Sequence, residues 1–196
     1  MNSNNSPAIA IGLLTIMLLS ACGTSSMINE MKINTSPEVG ESEDTSECDF
    51  NEHRITRTLM YINRVRSSER LCGTATYSAA PPVSWNAKLA SAALVHSEDM
   101  SIYDKIDHEV ARHSTLASRI DDSGYDWKLF AENVAGGPNT PEQTIDSWMT
   151  SPGHCKNIMN PNYIEIGMAC AINAASSYRS YWTLVLASPA AGLQNQ

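Results

Sequence analysis

The segment Trp148 to Pro161 reads WMTSPGHCKNIMNP. Ser151 followed by Pro152 is a helix start with proline at the first helical position, which places His154 and Cys155 in the first turn. Backbone amides point outward there and a polar side chain can face a cleft, so an imidazole at that place is available for chemistry. A second histidine, His108, opens the polar run HEVARHSTLASRIDDSGY, His108 to Tyr125. Neither His108 nor His154 sits on an apolar stripe, which favours a cleft-lining role over a core role.

Sharper motifs fail on inspection. His108-Glu109-Val110-Ala111-Arg112-His113 has the composition of a zincin helix, but its second histidine lies five residues on, about 140° around a helix from the first. No Gly-x-Ser-x-Gly elbow, phosphate loop or dinucleotide fingerprint is present. Ser97 and Ser151 carry hydroxyls, yet no spacing pairs either with a base. His96 recurs with Leu89, Ala92, Ala93 and Met100 on one helical stripe, where a hydrogen-bonded core histidine is expected. Met100, Met149, Met159 and Met168 read as core fillers.

The elements that must position these groups follow from periodicity and caps. Ile55, Leu59, Ile62 and Val65 recur at three and four, an amphipathic helix between Asp49 and Ser67. Ser84 and Asn86 offer caps for a second helix, whose apolar face starts with Trp85. Leu116 to Asp122 predicts a short helix stopping at Gly124, and Leu129 to Ala135 an extended segment ending at Gly136-Gly137-Pro138. Thr140-Pro141-Glu142-Gln143 is a capping box for a helix carrying Ile145 and Trp148. Tyr163 to Ile172 and Tyr178 to Ala187 read as a hairpin around Asn173 to Ser177. Helices on both faces of a small antiparallel sheet predict an α+β protein, a three-layer α-β-α sandwich.

Of the 196 residues, 42% are hydrophobic and 17% charged, an ordinary globular balance. The first 47 residues stand apart. Ala8 to Leu19 is too short for a membrane span and suits the apolar region of a secretion signal. No Lys or Arg precedes it, so its positive charge rests on the terminal amine. Leu19-Ser20-Ala21-Cys22 matches a lipobox, predicting a signal peptide over 1–21 and lipidation of Cys22. Residues 22–47 form an acidic tether with six carboxylates against Lys32, and 191–196 a short tail. Removing the tether moves the formal net charge from −8 to −3. With no basic patch or Arg-rich helix, nucleic acid is not the expected partner. Apart from Cys22, the four cysteines Cys48, Cys72, Cys155 and Cys170 suit disulfides in an exported domain, with three connectivities open.

The blocks SWNAKLASAALVHSEDM (Ser84 to Met100), HEVARHSTLASRIDDSGY, AENVAGG (Ala131 to Gly137), WMTSPGHCKNIMNP and YWTLVLA (Tyr181 to Ala187), in that order, resemble the CAP superfamily of cysteine-rich secretory, antigen 5 and pathogenesis-related 1 proteins in its short bacterial form. The resemblance covers roughly Phe50 to Ala187 within a domain of residues 48–190. It implies a cleft lined by His108, Glu132 (of AEN), His154 and Ser151, and pairing of Cys155 with Cys170, leaving Cys48 with Cys72. His108, His154 and Glu132 would suit a divalent ion such as zinc with an open position for water, or general base and orienter roles without metal. Glu132 could equally hold the cleft rim through hydrogen bonds. Ser151 stands where eukaryotic members carry a second glutamate, Ala131 where glycine is usual and Asp107 where serine is usual. Fewer anionic ligands should weaken a metal site.

These readings converge on an extracytoplasmic module anchored to the membrane by Cys22, in the outer membrane of a Gram-negative host, with a cleft for a small apolar or lipid ligand. A metal-assisted hydrolase is the enzyme alternative, and an adhesion or scaffold role predicts dispensable histidines.

Overall fold

The computed structural model describes residues 48–111 and 114–190. The predicted signal segment, Cys22, the tether, the tail and His113 lie outside these. Helix α1 (Glu52–Arg66) is followed by the short hairpin β1 (Arg70–Cys72) and β2 (Ala75–Tyr77), then β3 (Ser84–Trp85) and α2 (Ala87–Tyr103). After α3 (Leu116–Asp122) come β4 (Trp127–Gly136), α4 (Pro141–Thr150), α5 (Pro152–Met159), β5 (Glu165–Ile172) and β6 (Ser180–Pro189). No described helix is long and apolar enough to cross a membrane.

The main sheet has the order β3-β5-β6-β4. β5 and β6 form the predicted hairpin, with Cys170 opposite Trp182, and β4 runs antiparallel to β6. Alternation along the strands sorts side chains into two cores. Ile166, Met168, Cys170, Trp182, Leu184 and Leu186 face α1, α4 and α5. Ala169, Val185 and Ala187 meet Leu89, Ala92 and Ala93 of α2 and Ile120 of α3. Helices therefore cover both faces, as the pattern predicts. The small side chains on the second face let α2 lie close: a Cβ on Gly167 would stand 1.9 Å from the backbone nitrogen of Ala90.

Three caps form where their residue types predict. Asn86 accepts from Lys88 N and Leu89 N at the start of α2, and Thr115 from Ser118 N at α3. At α4, Thr140 accepts from Gln143 N, while the Gln143 side chain reaches back to Asn139 N at 3.0 Å. This differs by one residue from the reciprocal bond of an ideal capping box. Thr140→Ala should lower stability by about 1 kcal/mol in urea unfolding, the typical value of an N-cap hydroxyl.

Three expectations require correction. Trp85 does not begin the α2 stripe: it lies in β3, which pairs parallel to β5, and it stacks on Phe50 at 5.6 Å, so the sheet is not wholly antiparallel. The second hairpin strand begins at Ser180 instead of Tyr178, because Arg179 adopts φ +63°, which interrupts extended backbone. The disulfides are Cys48–Cys170 and Cys72–Cys155, with Cα separations of 5.1 and 5.5 Å, not Cys155–Cys170 and Cys48–Cys72. Phe50 packs edge-on against Trp182, the cross-strand neighbour of Cys170, and so brings Cys48 to β5. The start of α5 packs instead on the β1 hairpin, where a Cβ on Gly73 would stand 3.0 Å from Pro152, and this places Cys155 beside Cys72.

Candidate functional site

Strand β4 is an edge of the sheet, and it organises the site by sending alternate residues to opposite faces. Asn133 faces α5: its Nδ2 donates to His154 O at 3.1 Å and its Oδ1 accepts from Asn157 Nδ2 at 2.9 Å. The carbonyls of Phe130, Glu132 and Val134 accept from Tyr163 OH, Asn157 Nδ2 and Trp148 Nε1 at 3.2, 3.3 and 2.9 Å. Side chains of the α4–α5 layer thus occupy acceptors that an edge strand would otherwise offer to another chain, and they fix α5 against β4.

Glu132 points the other way, toward α2 and α3, and its side chain is only 1% exposed. Oε2 accepts from Arg119 Nη2 at 2.5 Å and Oε1 from His108 Nδ1 at 2.9 Å; His96 Nε2 stands 3.7 Å from Oε1. Arg119, itself buried, also donates to Ser114 O at 2.6 Å. A buried carboxylate demands such partners, and here both oxygens are engaged.

His96 is fully buried on the α2 stripe, as predicted, and its Nε2 bonds the carbonyl of Asp107 at 2.8 Å. That bond makes Nε2 the donor, and Nδ1 is left without a partner. Desolvation holds the His96 pKa below 6.5, opposed by the charge of Glu132. The Asp107 carboxylate accepts from His108 N at 2.8 Å and pairs with Lys105 at 2.7 Å. The departure from serine at this position therefore gives the His108 loop a cap and an ion pair.

His108 donates through Nδ1 to Glu132 while its ring stays 56% exposed, so Nε2 remains for a ligand or a proton. The bond to Glu132 raises its pKa above 6.5 against the effect of burial. His154 is half-buried in the first turn of α5, edge-on to Trp148 at 6.5 Å. Desolvation, then the charge of His108, lowers its pKa. The structure thus bonds His108 to Glu132 directly, and holds His154 within electrostatic reach of His108 without bonding it to the carboxylate. Ser151 sits at the junction of α4 and α5 as predicted, but its side chain makes no capping bond.

Among the described residues no group of three or more His, Cys, Asp or Glu side chains could hold a metal ion. With both Glu132 oxygens taken by Arg119 and His108, the predicted set of His108, His154 and Glu132 does not form a three-ligand centre in this arrangement. Nor do the described residues include an activated nucleophile at the site. Ser97 Oγ is buried and donates to Thr183 Oγ1 at 2.9 Å, and Cys155 is a disulfide sulfur. Sequence reading missed Arg119 and the Asp107 cap. The signal for Arg119 was the need of a buried glutamate for a cation, which names no partner.

Residues 50–186 match the model of the cysteine-rich secretory protein family, CAP. The chain belongs to this family. Over 87 residues it is 34% identical to the uncharacterized protein YkwD of Bacillus subtilis (strain 168), a match covering 44% of this chain and 34% of the relative. Over 84 residues it is 27% identical to the uncharacterized membrane protein YlbC of the same organism, covering 43% of this chain and 24% of the relative. These matches span about a third or less of the curated relatives' length. Among solved structures, an extracellular protein containing an SCP domain from Bacillus anthracis aligns with TM-score 0.55 at 21% identity, over 69% of this chain and 40% of that one. An outer surface protein from Borrelia burgdorferi aligns with TM-score 0.57 at 14% identity, over 73% of this chain and 98% of that one. At these identities the likeness is one of fold. In this CAP domain the groups facing solvent at the site are two imidazoles with opposite pKa shifts, backed by a carboxylate already engaged by an arginine.

Proposed function

We propose that this CAP-domain protein is exported, anchored to the membrane through Cys22, and binds an amphipathic or lipid-like small molecule. The observation that carries the reading is the engagement of Glu132. With its oxygens held by Arg119 and His108, it orients an imidazole whose Nε2 is left for a ligand. His108, biased toward its cationic form, and His154, biased toward neutral, suit recognition of a polar or anionic headgroup. Two disulfides support an oxidising compartment.

Native mass spectrometry of the full chain from envelope fractions, with metal analysis, tests this. The expected result is a co-purified amphiphile, lost at least about tenfold in His108→Ala with His154→Ala, as for removal of a charge-assisted bond. Affinity for an anionic headgroup should be full below 6.5 and fall as pH rises through the raised His108 pKa. Hydrolysis that disappears with the two histidines, or stoichiometric zinc lost with them, would replace this reading by the metal-assisted alternative. A double variant with unchanged phenotype and ligand would leave the adhesion or scaffold role.

A further inference from the structure

On the α1, α4 and α5 side of the sheet, opposite the face that Glu132 points to, a groove of about 460 Å³ opens between the end of α1, β1 and the end of α4. Its volume falls in the range of small-molecule sites. Four charged side chains line it: Arg64 of α1, Asp146 of α4, and Glu69 and Arg70 where the chain enters β1. None of the four forms an ion pair with another. Their contacts leave them largely open: the Arg64 guanidinium lies 4.7 Å over the Tyr61 ring, Tyr61 OH donates to Asp146 Oδ1 at 2.6 Å, and Arg70 donates through Nε to Val65 O at 3.0 Å. Elsewhere the same two helices do close an ion pair, Arg57 to Glu142 at 3.1 Å. Charges of both signs therefore face one space.

Helix α1 contributes a cation, α4 an anion, and the β1 end one of each. A ligand of a single sign, such as a fatty acid or phosphate, would meet an unpaired acid beside whichever arginine it chose, a repulsion with no compensating partner. A ligand carrying both signs finds a counter-charge for each of its ends. Between the charges lie Val65, Met149 and the Tyr61 ring, with Leu71 67% exposed at the rim, a surface for an apolar side chain. The β1 wall is held in place by the adjoining disulfide, since Cys72 follows Leu71 and is bonded to Cys155 of α5. A preformed wall lowers the ordering entropy of binding.

We propose that this groove binds a dipolar ligand, an amino acid or short peptide with a free ammonium, a free carboxylate and an apolar side chain. Its carboxylate is placed against Arg64 and Arg70 and its ammonium against Asp146 and Glu69. The site is independent of the His108 cleft and of the amphiphile reading above. Calorimetric and heteronuclear NMR titration of the full chain with L-leucyl-L-leucine tests it, with the N-acetylated dipeptide, the dipeptide amide and hexanoate as comparison probes. The expected result is saturable binding of the free dipeptide, with shifts at Tyr61 and Leu71, weakened about tenfold or more by blocking either end. Arg64→Gln and Asp146→Asn should each weaken it similarly while leaving the circular dichroism spectrum unchanged. His108→Ala should leave it unaltered. No saturable binding of the free dipeptide would overturn the proposal, as would equal binding of the blocked dipeptides or of hexanoate.

Discussion

Replacing Arg66 with methionine should lower the unfolding free energy by about 3 kcal/mol or more, because it strands several buried carbonyls that each cost about 1–3 kcal/mol when left without a donor. Arg66 closes α1 and is fully buried, yet no described carboxylate pairs with it. Its guanidinium donates to four backbone carbonyls: Pro81 at 2.9 Å, Asn160 at 3.2 Å, Tyr163 at 3.1 Å, and Ile158. Three of these lie at the end of α5 and in the segment leading to β5, where carbonyls lack helical partners and a cation is favoured by the helix dipole. Desolvation lowers the Arg66 pKa to about 10, so the charge persists at neutral pH. Methionine approximates the stem and supplies no donor. Arg66→Lys keeps the charge without the planar fork and should recover about half of the loss. Denaturant unfolding with disulfides intact, followed by tryptophan fluorescence, checks both; a change below about 1 kcal/mol for the methionine variant would mean that solvent satisfies these carbonyls.

Glu132→Leu should lower stability by a similar amount, about 3–5 kcal/mol, because it leaves the buried Arg119 cation without its carboxylate. Adding Arg119→Met to that variant should restore part of the loss, since removing both charges is less costly than removing one. A structural cavity alone would make the double variant worse. The single variant should also return the His108 pKa toward 6.5, as the bond to Glu132 is the main cause of its rise. A raised folded pKa contributes stability that is full below the unfolded value and lost as pH rises through the folded value. The difference between wild type and Glu132→Leu should therefore be larger in mildly acidic than in mildly alkaline buffer. Histidine titration by NMR and unfolding at the two conditions measure these effects. A stability difference independent of pH would detach His108 from the carboxylate.

Short-range chemistry was legible in the sequence. Leu116–Asp122 is a helix with the predicted bounds, Thr140 caps α4, and the stripe containing His96 and Met100 is buried. Each depends on contacts within one or two turns, where side-chain type and spacing settle the outcome. Trp85 shows the limit of that reading. Its place next to a helical stripe suggested α2, but stacking on Phe50 and pairing with β5 draw it into the sheet. Propensity near an element boundary is a fraction of a kcal/mol, less than the burial of an indole.

The site divides in the same way. Residue types and the family motif led to His108, Glu132 and His154, and the need of a buried carboxylate for partners was plain from its chemistry. Which partners it took was not. Arg119 reaches Glu132 from α3 and His108 from the loop after α2, while the alternation of β4 directs Glu132 away from the α5 layer that carries His154. The cysteines make the same point, because four thiols in an oxidising compartment imply two bonds without implying which. Phe50 carries Cys48 to β5, and the β1 hairpin carries Cys72 to α5. By itself the sequence determined the helices, the three long strands, several caps and the chemical types at the site, since those follow from interactions between near neighbours along the chain. Only the tertiary structure decided the pairings, because partners separated by tens of residues are chosen by how the layers pack, and packing is a property of all the faces together.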